Sequence, residues 1–482
     1  MFTPKEIEIQ KKKDKIEVAK LWKDLEDDAT KKSDPATAKR IVAALQDYYK
    51  DMYEDIDLIS WIANLYDPVT GGFYYSNSSR DNDGYLPDLE STFQAIVVLM
   101  AMGIQDEFRE AKDICPEWMQ KQIIKFVKER QDKNGYFYHP QWPRELTDSK
   151  PHRRGRDLTW ACEILRWFGE APTYDTPNGV RGNGLLWDGA PADDFTSSEN
   201  IGVTGTKEEL VSPHLKDKES FEKYLNDLYE EYKPLGPNCW YPIGNRLESE
   251  GPQIVTRDNA LKARGADYSL CDIMAEWMTK AQNPKNGLWV DDDLDGEYGK
   301  SGTNALLKIG SAYNKIQRPI PKIDLCFKAT IDISNGDLPI LSVCSVLNPF
   351  YAMSVLRSNL HKYNADCYEE KARIESEHIK YMYEHAPEII EITKKRIIIF
   401  KKPDGGFSYT PECSSWTSQG HPVALPDSAE GDLNATNIAA AAVIGHIFTN
   451  LNLKRIPVFT LADKMRFLNI VEENKKQSAE ID

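Results

Sequence analysis

Apolar residues recur three and four positions apart over most of the chain, the spacing of an amphipathic helix. Leu89, Phe93, Ile96, Val97 and Met100 follow it, as do Leu158, Cys162 and Leu165. Residues 5–60 read as helix broken at Pro35, ending in the run Ile56, Leu58, Ile59, Trp61, Ile62. The same punctuation precedes three of the apolar stretches. Gly72 to Tyr75, Gly135 to Tyr138 and Gly406 to Tyr409 each read Gly-aromatic-x-Tyr, and each restarts after a loop at Asp88-Leu89, Asp157-Leu158 or Asp432-Leu433. "GLLW" (184–187) and "NGLWVDDD" (286–293) are weaker echoes. Glycine admits the positive φ of a tight turn, the aromatic packs down, and the Asp is expected to cap the next helix. The first two copies start 63 residues apart, a period that fits six or seven helical hairpins into 482 residues. Alternating βαβ patterns are missing, and the β-like piece Arg396 to Phe400 sits in "EIIEITKKRIIIFKK", which reads equally as helix.

These units, above all "KKPDGGFSY" (401–409) and "ERQDKNGYFY" (129–138), resemble the turns of the α/α-toroid superfamily. That superfamily includes squalene-hopene cyclases and protein prenyltransferase β-subunits; the related (α/α)6 architecture houses many glycoside hydrolases and polysaccharide lyases. The resemblance implies an all-α fold, an (α/α)6 toroid or barrel of helical hairpins over 56–482, with residues 1–55 as a helical extension packed on it. It does not choose among activities.

The formal charge of −16 argues against nucleic acid or an anionic membrane as partner. No apolar run approaches membrane-spanning length, no secretory signal opens the chain, and the eight cysteines form no CxxC pair. A cytoplasmic protein with reduced thiols is the expectation.

Within the resemblance, Asp324-Leu325-Cys326 with His361 or His385 has the spacing of a prenyltransferase zinc site, but Cys326 lies in an apolar helical stretch and reads as a core thiol. The D-x-D-D order of class II cyclases is absent, and "DDDLD" (291–295) reads as a solvated acidic turn rather than a diphosphate site. "DNDG" (81–84) and "DKNG" (132–135) lack the Glu that closes a calcium loop. Neither a metal nor a cofactor is expected.

Residues that recur belong to the scaffold; loop residues found in one copy need another reason. The first copy contributes Arg80, Asp81, Asp83 and Tyr85, with Glu90 behind them. The second contributes His139, Gln141, Trp142, Arg144, His152, Arg153, Arg154 and Arg156; the third Glu412, Trp416, Thr417, Gln419, His421 and Glu430. From His139 to Arg156 five Lys/Arg stand against two Asp/Glu, a local basic exception in an acidic chain. Arg grips carboxylate, sulfate or phosphate, and Trp offers a face to a sugar. Two chemistries fit. In β-elimination on a uronate, Arg153, Arg154 or Arg156 neutralises the carboxylate while His139, His152, His421, Tyr75, Tyr138 or Tyr409 moves the C5 proton. In glycoside hydrolysis, two carboxylates from Asp83, Glu90, Glu412 and Glu430 act as a pair. Substrate contacts are expected from Arg80, Tyr85, Trp142, Arg144, Arg153, Arg154, Arg156 and Trp416. The expected function is cleavage of acidic, uronate-containing oligosaccharides; the alternatives are a terpenoid cyclase or prenyltransferase-like enzyme, or a non-catalytic binding toroid.

Overall fold

The computed structural model describes residues 1–193, 195, 211–290, 296–337, 340–363 and 368–479. Among the described residues the protein is all-α apart from one minimal hairpin, β1 (Thr417–Ser418) with β2 (His421–Pro422). Helix α1 (Pro4–Lys32) starts in a capping box between Thr3 and Glu6. The break at Pro35 is a second start: Asp34 accepts from the Ala36 and Thr37 N–H groups, and Pro35 opens α2 (Pro35–Tyr53) where no amide donor is needed.

The main helices then follow in successive twos along the chain. They are α3 (Leu58–Asn64) with α4 (Leu89–Met102), α5 (Glu117–Lys128) with α6 (Pro151–Trp167), and α7 (Lys218–Tyr232) with α8 (Trp240–Ala263). After these come α9 (Leu270–Lys280) with α10 (Gly296–Lys315), and α11 (Ile323–Asn335) with α12 (Val343–Tyr363). The last is α13 (Tyr368–Ile397) with α14 (Leu433–Thr436), which runs through a π-helical segment, Asn437–Ala442, into α15 (Val443–Asn450). The second members pack in series: α6 on α4, α4 on α14 and the π segment, α15 on α12, α12 on α10, and α10 on α8. Helices α1 and α2 lie against the closing helix α16 (Leu461–Ala479) and α13.

Two large apolar clusters result, with a small third one of Tyr75, Trp142, Val423 and Ala424. One joins the first, second and sixth pairs with α1, α2 and α16; the other joins the third, fourth and fifth, and α12 contributes to both. Copies bearing the clear motif therefore share one core. Burial is complete for Phe73, Phe137 and Phe407, and for Trp289 of the "NGLW" echo.

The turns correct the register read from sequence. Positive φ falls on Gly71 (+87°), Gly135 (+82°), Gly287 (+74°) and Gly405 (+104°), and the buried aromatic stands two residues later. Gly72 and Gly406 are required instead for closeness: a Cβ there would sit 2.5 Å from the Phe126 ring or 2.7 Å from that of Trp61. Backbone pairing agrees, with Phe73 opposite Tyr66, Phe137 opposite Gln131 and Phe407 opposite Lys401. The second copy is thus shifted by one residue, and the structural equivalent of Tyr75 and Tyr409 is His139, not Tyr138.

The capping expectation holds for two of three aspartates. Asp88 accepts from Ser91 N–H (3.0 Å) and Asp432 from Ala435 N–H (2.7 Å). Beside them, Thr92 and Thr436 accept the Phe73 and Phe407 amides at 3.0 and 2.9 Å. Asp157 caps nothing: α6 begins six residues earlier, at Pro151, so Asp157 lies inside the helix. The extra turn and a half carries His152, Arg153, Arg154 and Arg156. Residues 396–400 are helical, α13 ending at Ile397 before a single 3-10 turn.

Candidate functional site

Extending α6 places a guanidinium among carboxylates. Arg153 is fully buried and donates from Nε to both Asp157 oxygens (3.0 Å each), from Nη1 to Glu90 Oε2 (2.8 Å) and from Nη2 to Asp88 Oδ1 (3.1 Å). Ser418 donates its hydroxyl to the same Glu90 oxygen. The β1–β2 hairpin can supply that hydroxyl because Gln419 and Gly420 both take positive φ (52° and 84°), a tight two-residue turn. Burial pulls the Arg153 guanidinium down, but Asp157, Glu90 and Asp88 outweigh it and hold it charged. Burial raises Asp157 to about 7 against the pull of Arg153.

An aromatic sandwich closes over this cluster. The Arg153 guanidinium lies 4.6 Å from the Trp142 ring; His139 stacks on Trp142 at 4.2 Å and His421 packs on it at 4.5 Å. His139 Nδ1 accepts from Gln141 N–H, which assigns the proton to Nε2, donating to Pro87 O at 3.0 Å. Burial lowers its pKa to about 4, so the ring is neutral. His421 is also shifted down, by burial and then by Arg153; its Nε2 stands 3.3 Å from Thr147 Oγ1, and its buried Nδ1 has no hydrogen-bond partner. Next to this group Asp432 is raised to about 7 by burial, and the Tyr75 hydroxyl facing it is buried without a hydrogen-bond partner.

One helical face away, α6 presents a different surface. His152 and Arg156 are four residues apart and so share a side of the helix. His152 is half-buried, and burial lowers its pKa, followed by the positive charges of Arg246, Arg156 and Lys308, with Glu250 opposing. Arg156 has no carboxylate partner among the described residues; its charge is felt by Tyr241, Cys344 and Tyr351, and its guanidinium is 5.9 Å from the Trp160 ring. Lys308, paired with Glu248 (2.9 Å), acts on the same His152 and Cys344 as Arg156 does. Trp160 and Trp167 flank Phe93, whose ring stacks on Trp167 at 5.0 Å. Tyr241 and Tyr351 are each 39% exposed as whole residues, yet the surrounding protein mass desolvates their hydroxyls and raises both, so they stay protonated.

The residues expected from sequence divide accordingly. Glu90, His139, Trp142, Arg153 and His421 converge in the buried cluster; His152 and Arg156 share the open face. Arg144 is held by Asp132 (2.9 Å) and Arg154 by Asp148 (2.8 Å), while Tyr138 donates to Asp148 (2.9 Å), so these three brace a loop. Arg80 pairs with its neighbour Asp81 on the surface, Asp83 and Glu412 are exposed, and Tyr85 is half-buried. Trp416 is half exposed. Glu430 accepts from Ser78 N–H (2.8 Å), leaving its buried Oε1 without a partner. Cys326 is a core thiol, donating to Gly287 O at 3.1 Å. Asp291–Asp295 lie outside the described residues. Among the described residues no group of three His, Cys, Asp or Glu is placed to hold a metal ion.

Sequence reading missed Trp160, Tyr241, Glu248, Lys308, Cys344 and Tyr351. A spacing signal was present: Tyr241 and Glu248 on α8, and Cys344, Asn348 and Tyr351 on α12, repeat at i, i+4 or i+7 and so share a side of each helix. Comparison of the chain with protein-family models, curated proteins and solved structures finds no match.

Proposed function

We propose that the six helix pairs close into an (α/α)6 toroid and that the chain is a cytoplasmic carbohydrate-active enzyme cleaving uronate-containing oligosaccharides by β-elimination. The serial packing from α6 through α4, α15, α12 and α10 to α8 supports the ring. The observation carrying the activity is the pairing of a neutral His152 with Arg156, one turn apart on α6, in a face that also holds Lys308 and protonated tyrosines.

In this reading Arg156 meets the uronate carboxylate and Trp160 offers a ring face to the sugar. Neutral His152 takes the C5 proton; the electron pair forms the C4–C5 double bond, the C4–O bond breaks, and a tyrosine hydroxyl, Tyr241 or Tyr351, gives the departing oxygen its proton. The Arg153 cluster positions α6 and touches no substrate. Hydrolysis by paired carboxylates is disfavoured because Glu90 is occupied by Arg153 and Ser418, and Asp83 and Glu412 are exposed on separate loops. The Phe93, Trp160 and Trp167 rings favour a second reading, an isoprenoid cation held by aromatic faces. Against it stand Arg156 and Lys308, which repel such a cation.

The test is incubation with a panel of uronate oligosaccharides. New absorbance near the ultraviolet edge, lost in His152→Ala and Arg156→Ala, is the expected result. New reducing ends without that absorbance would replace elimination by hydrolysis, and silence across the panel would remove the acidic-sugar reading.

A further inference from the structure

A groove of about 400 Å³ runs along α2, between that helix, Trp22 of α1 and the Pro457–Val458 segment that leads into α16. Its volume lies in the range of ligand sites. Gln46, Tyr49, Tyr53 and Glu54 recur at helical spacing and form one continuous wall. From Gln46 to Glu54 that wall is about 12 Å long, at about 1.5 Å per residue. Its aromatic rings stand nearly square to one another: Trp22 meets Tyr49 at 5.2 Å and 84°, and Tyr49 meets Tyr53 at 5.2 Å and 72°. Both tyrosines are locked from behind, Tyr49 donating its hydroxyl to Ile456 O (2.6 Å) and Tyr53 to Ala440 O (2.8 Å). The opposite wall is tied down as well, the Val458 N–H donating to Met102 O at 2.7 Å. The groove is thus organised before any ligand arrives.

Its lining holds one lysine, Lys50, and one carboxylate, Glu54, a balance that suits a neutral ligand. The charge of Arg455 reaches Tyr49 and Tyr53 from behind and tells further against an organic cation. Rings set square make corners rather than the flat platform on which a sugar stacks, and a corner takes a compact, saturated ring such as that of proline. The Trp22 indole N–H and the Gln46 amide have no hydrogen-bond partner among the described residues, so both are free to donate. A polyproline II segment has no internal hydrogen bonds, leaves its carbonyls free to accept, and rises about 3.1 Å per residue, so about four residues span the wall. We infer that this groove docks a proline-rich segment of another protein in that conformation. Its prolines sit in the Trp22–Tyr49 and Tyr49–Tyr53 corners, and its carbonyls accept from Trp22 Nε1 and Gln46. The groove shares no residue with the His152–Arg156 face and stands apart from the uronate reading.

Isothermal titration of the full chain with decaproline, a glycine-serine decapeptide, maltohexaose and tetramethylammonium tests it. Decaproline should bind and the other three should not. Trp22→Phe keeps a ring in place but removes the N–H, and should weaken decaproline roughly tenfold. Gln46→Ala, on an exposed side chain that the fold does not need, should weaken it roughly threefold or more. His152→Ala and Arg156→Ala should leave it unchanged, so failure here is separate from failure of the proposed activity. The inference is overturned if decaproline does not bind, if both groove variants bind it as well as wild type, or if the glycine-serine peptide binds equally. Binding of maltohexaose or tetramethylammonium in its place would overturn it in favour of a sugar or a cation. A fall in the molar mass of the free chain on Gln46→Ala, read by light scattering, would overturn it in favour of a second copy.

Discussion

Arg153 and Arg156 stand three residues apart on α6, yet one is enclosed by carboxylates and the other has none among the described residues. Arg153 is fully buried and bonded to Asp88, Glu90 and Asp157; Arg156 looks out at tyrosines, Cys344 and Trp160. The helix repeat produces the difference. Arg153 and Asp157 share one side, turned toward the caps of neighbouring hairpins, while His152 and Arg156 share the next. A guanidinium whose donors are satisfied can hold helices in place but has little left for a ligand. The face with unmatched charge is where chemistry is to be sought.

The strongest way to break this comparison is to remove Arg153. Arg153→Met should cost ~3–5 kcal/mol in denaturant unfolding at pH 8, because three carboxylates lose their common partner. The loss should shrink at pH 5, since carboxylates left unpaired in the core take up protons more readily than in the unfolded chain. A cost under ~1 kcal/mol at both pH values would show that the cluster is not held by charge.

Arg156→Ala and His152→Ala should act on the other side of the contrast, lowering kcat/KM on a uronate substrate by ~10²–10⁴ with the unfolding midpoint unmoved. His152 must be neutral to take a proton, and its pKa lies below the usual 6.5. Activity should therefore persist as pH falls through 6.5 and decline only below it. An acid limb above 6.5 would remove His152 as the base.

Asp432→Asn sharpens the contrast from a third position. The buried Asp432 carboxyl is raised to about 7, so its folded pKa lies above the unfolded value, and its contribution to stability falls as pH rises from about 4 to 7. Asn keeps the cap without the charge. The variant should gain on wild type by ~1–3 kcal/mol between pH 4 and pH 8, measured by thermal or denaturant unfolding. A gap that stays constant with pH would mean that Asp432 is ionised as readily as in the unfolded chain.

The smallest effect concerns the repeat itself. Thr92→Val and Thr436→Val should each cost ~1–2 kcal/mol, leaving the buried Phe73 or Phe407 amide without its acceptor. Equal losses would confirm that the two copies are one device; the second copy has Ala161 at that position and does without it.

Much of the all-α organisation was legible because glycine, aromatic and Asp-Leu are local signals. Their alignment was not: counting from glycine equated Tyr138 with Tyr75, whereas the fold counts from the buried phenylalanine and puts His139 there. Asp157 was misread for a related reason, since nothing in the Asp-Leu pair tells that the helix has already begun. Of the site, His152, Arg153 and Arg156 were visible as charge in a loop, but only side-chain packing separates the saturated arginine from the open one. Tyr241, Lys308 and Tyr351 escaped because the third, fourth and fifth pairs lack clear copies of the motif, and their polar stripes are sparse.

The π segment at Asn437–Ala442 also bears on how this molecule can change. It stores one surplus residue inside a helix, and Tyr53 and Arg455 both donate to the Ala440 carbonyl, at 2.8 and 3.3 Å. Upstream, Asn434 bonds to Gln94; downstream, α15 packs on α12. Deleting one alanine there would remove the surplus and leave regular α-helix, with the two halves keeping their phase. The segment works as a slip joint, taking up the surplus residue between the capped, loop-bearing end of the helix and the end packed on α12.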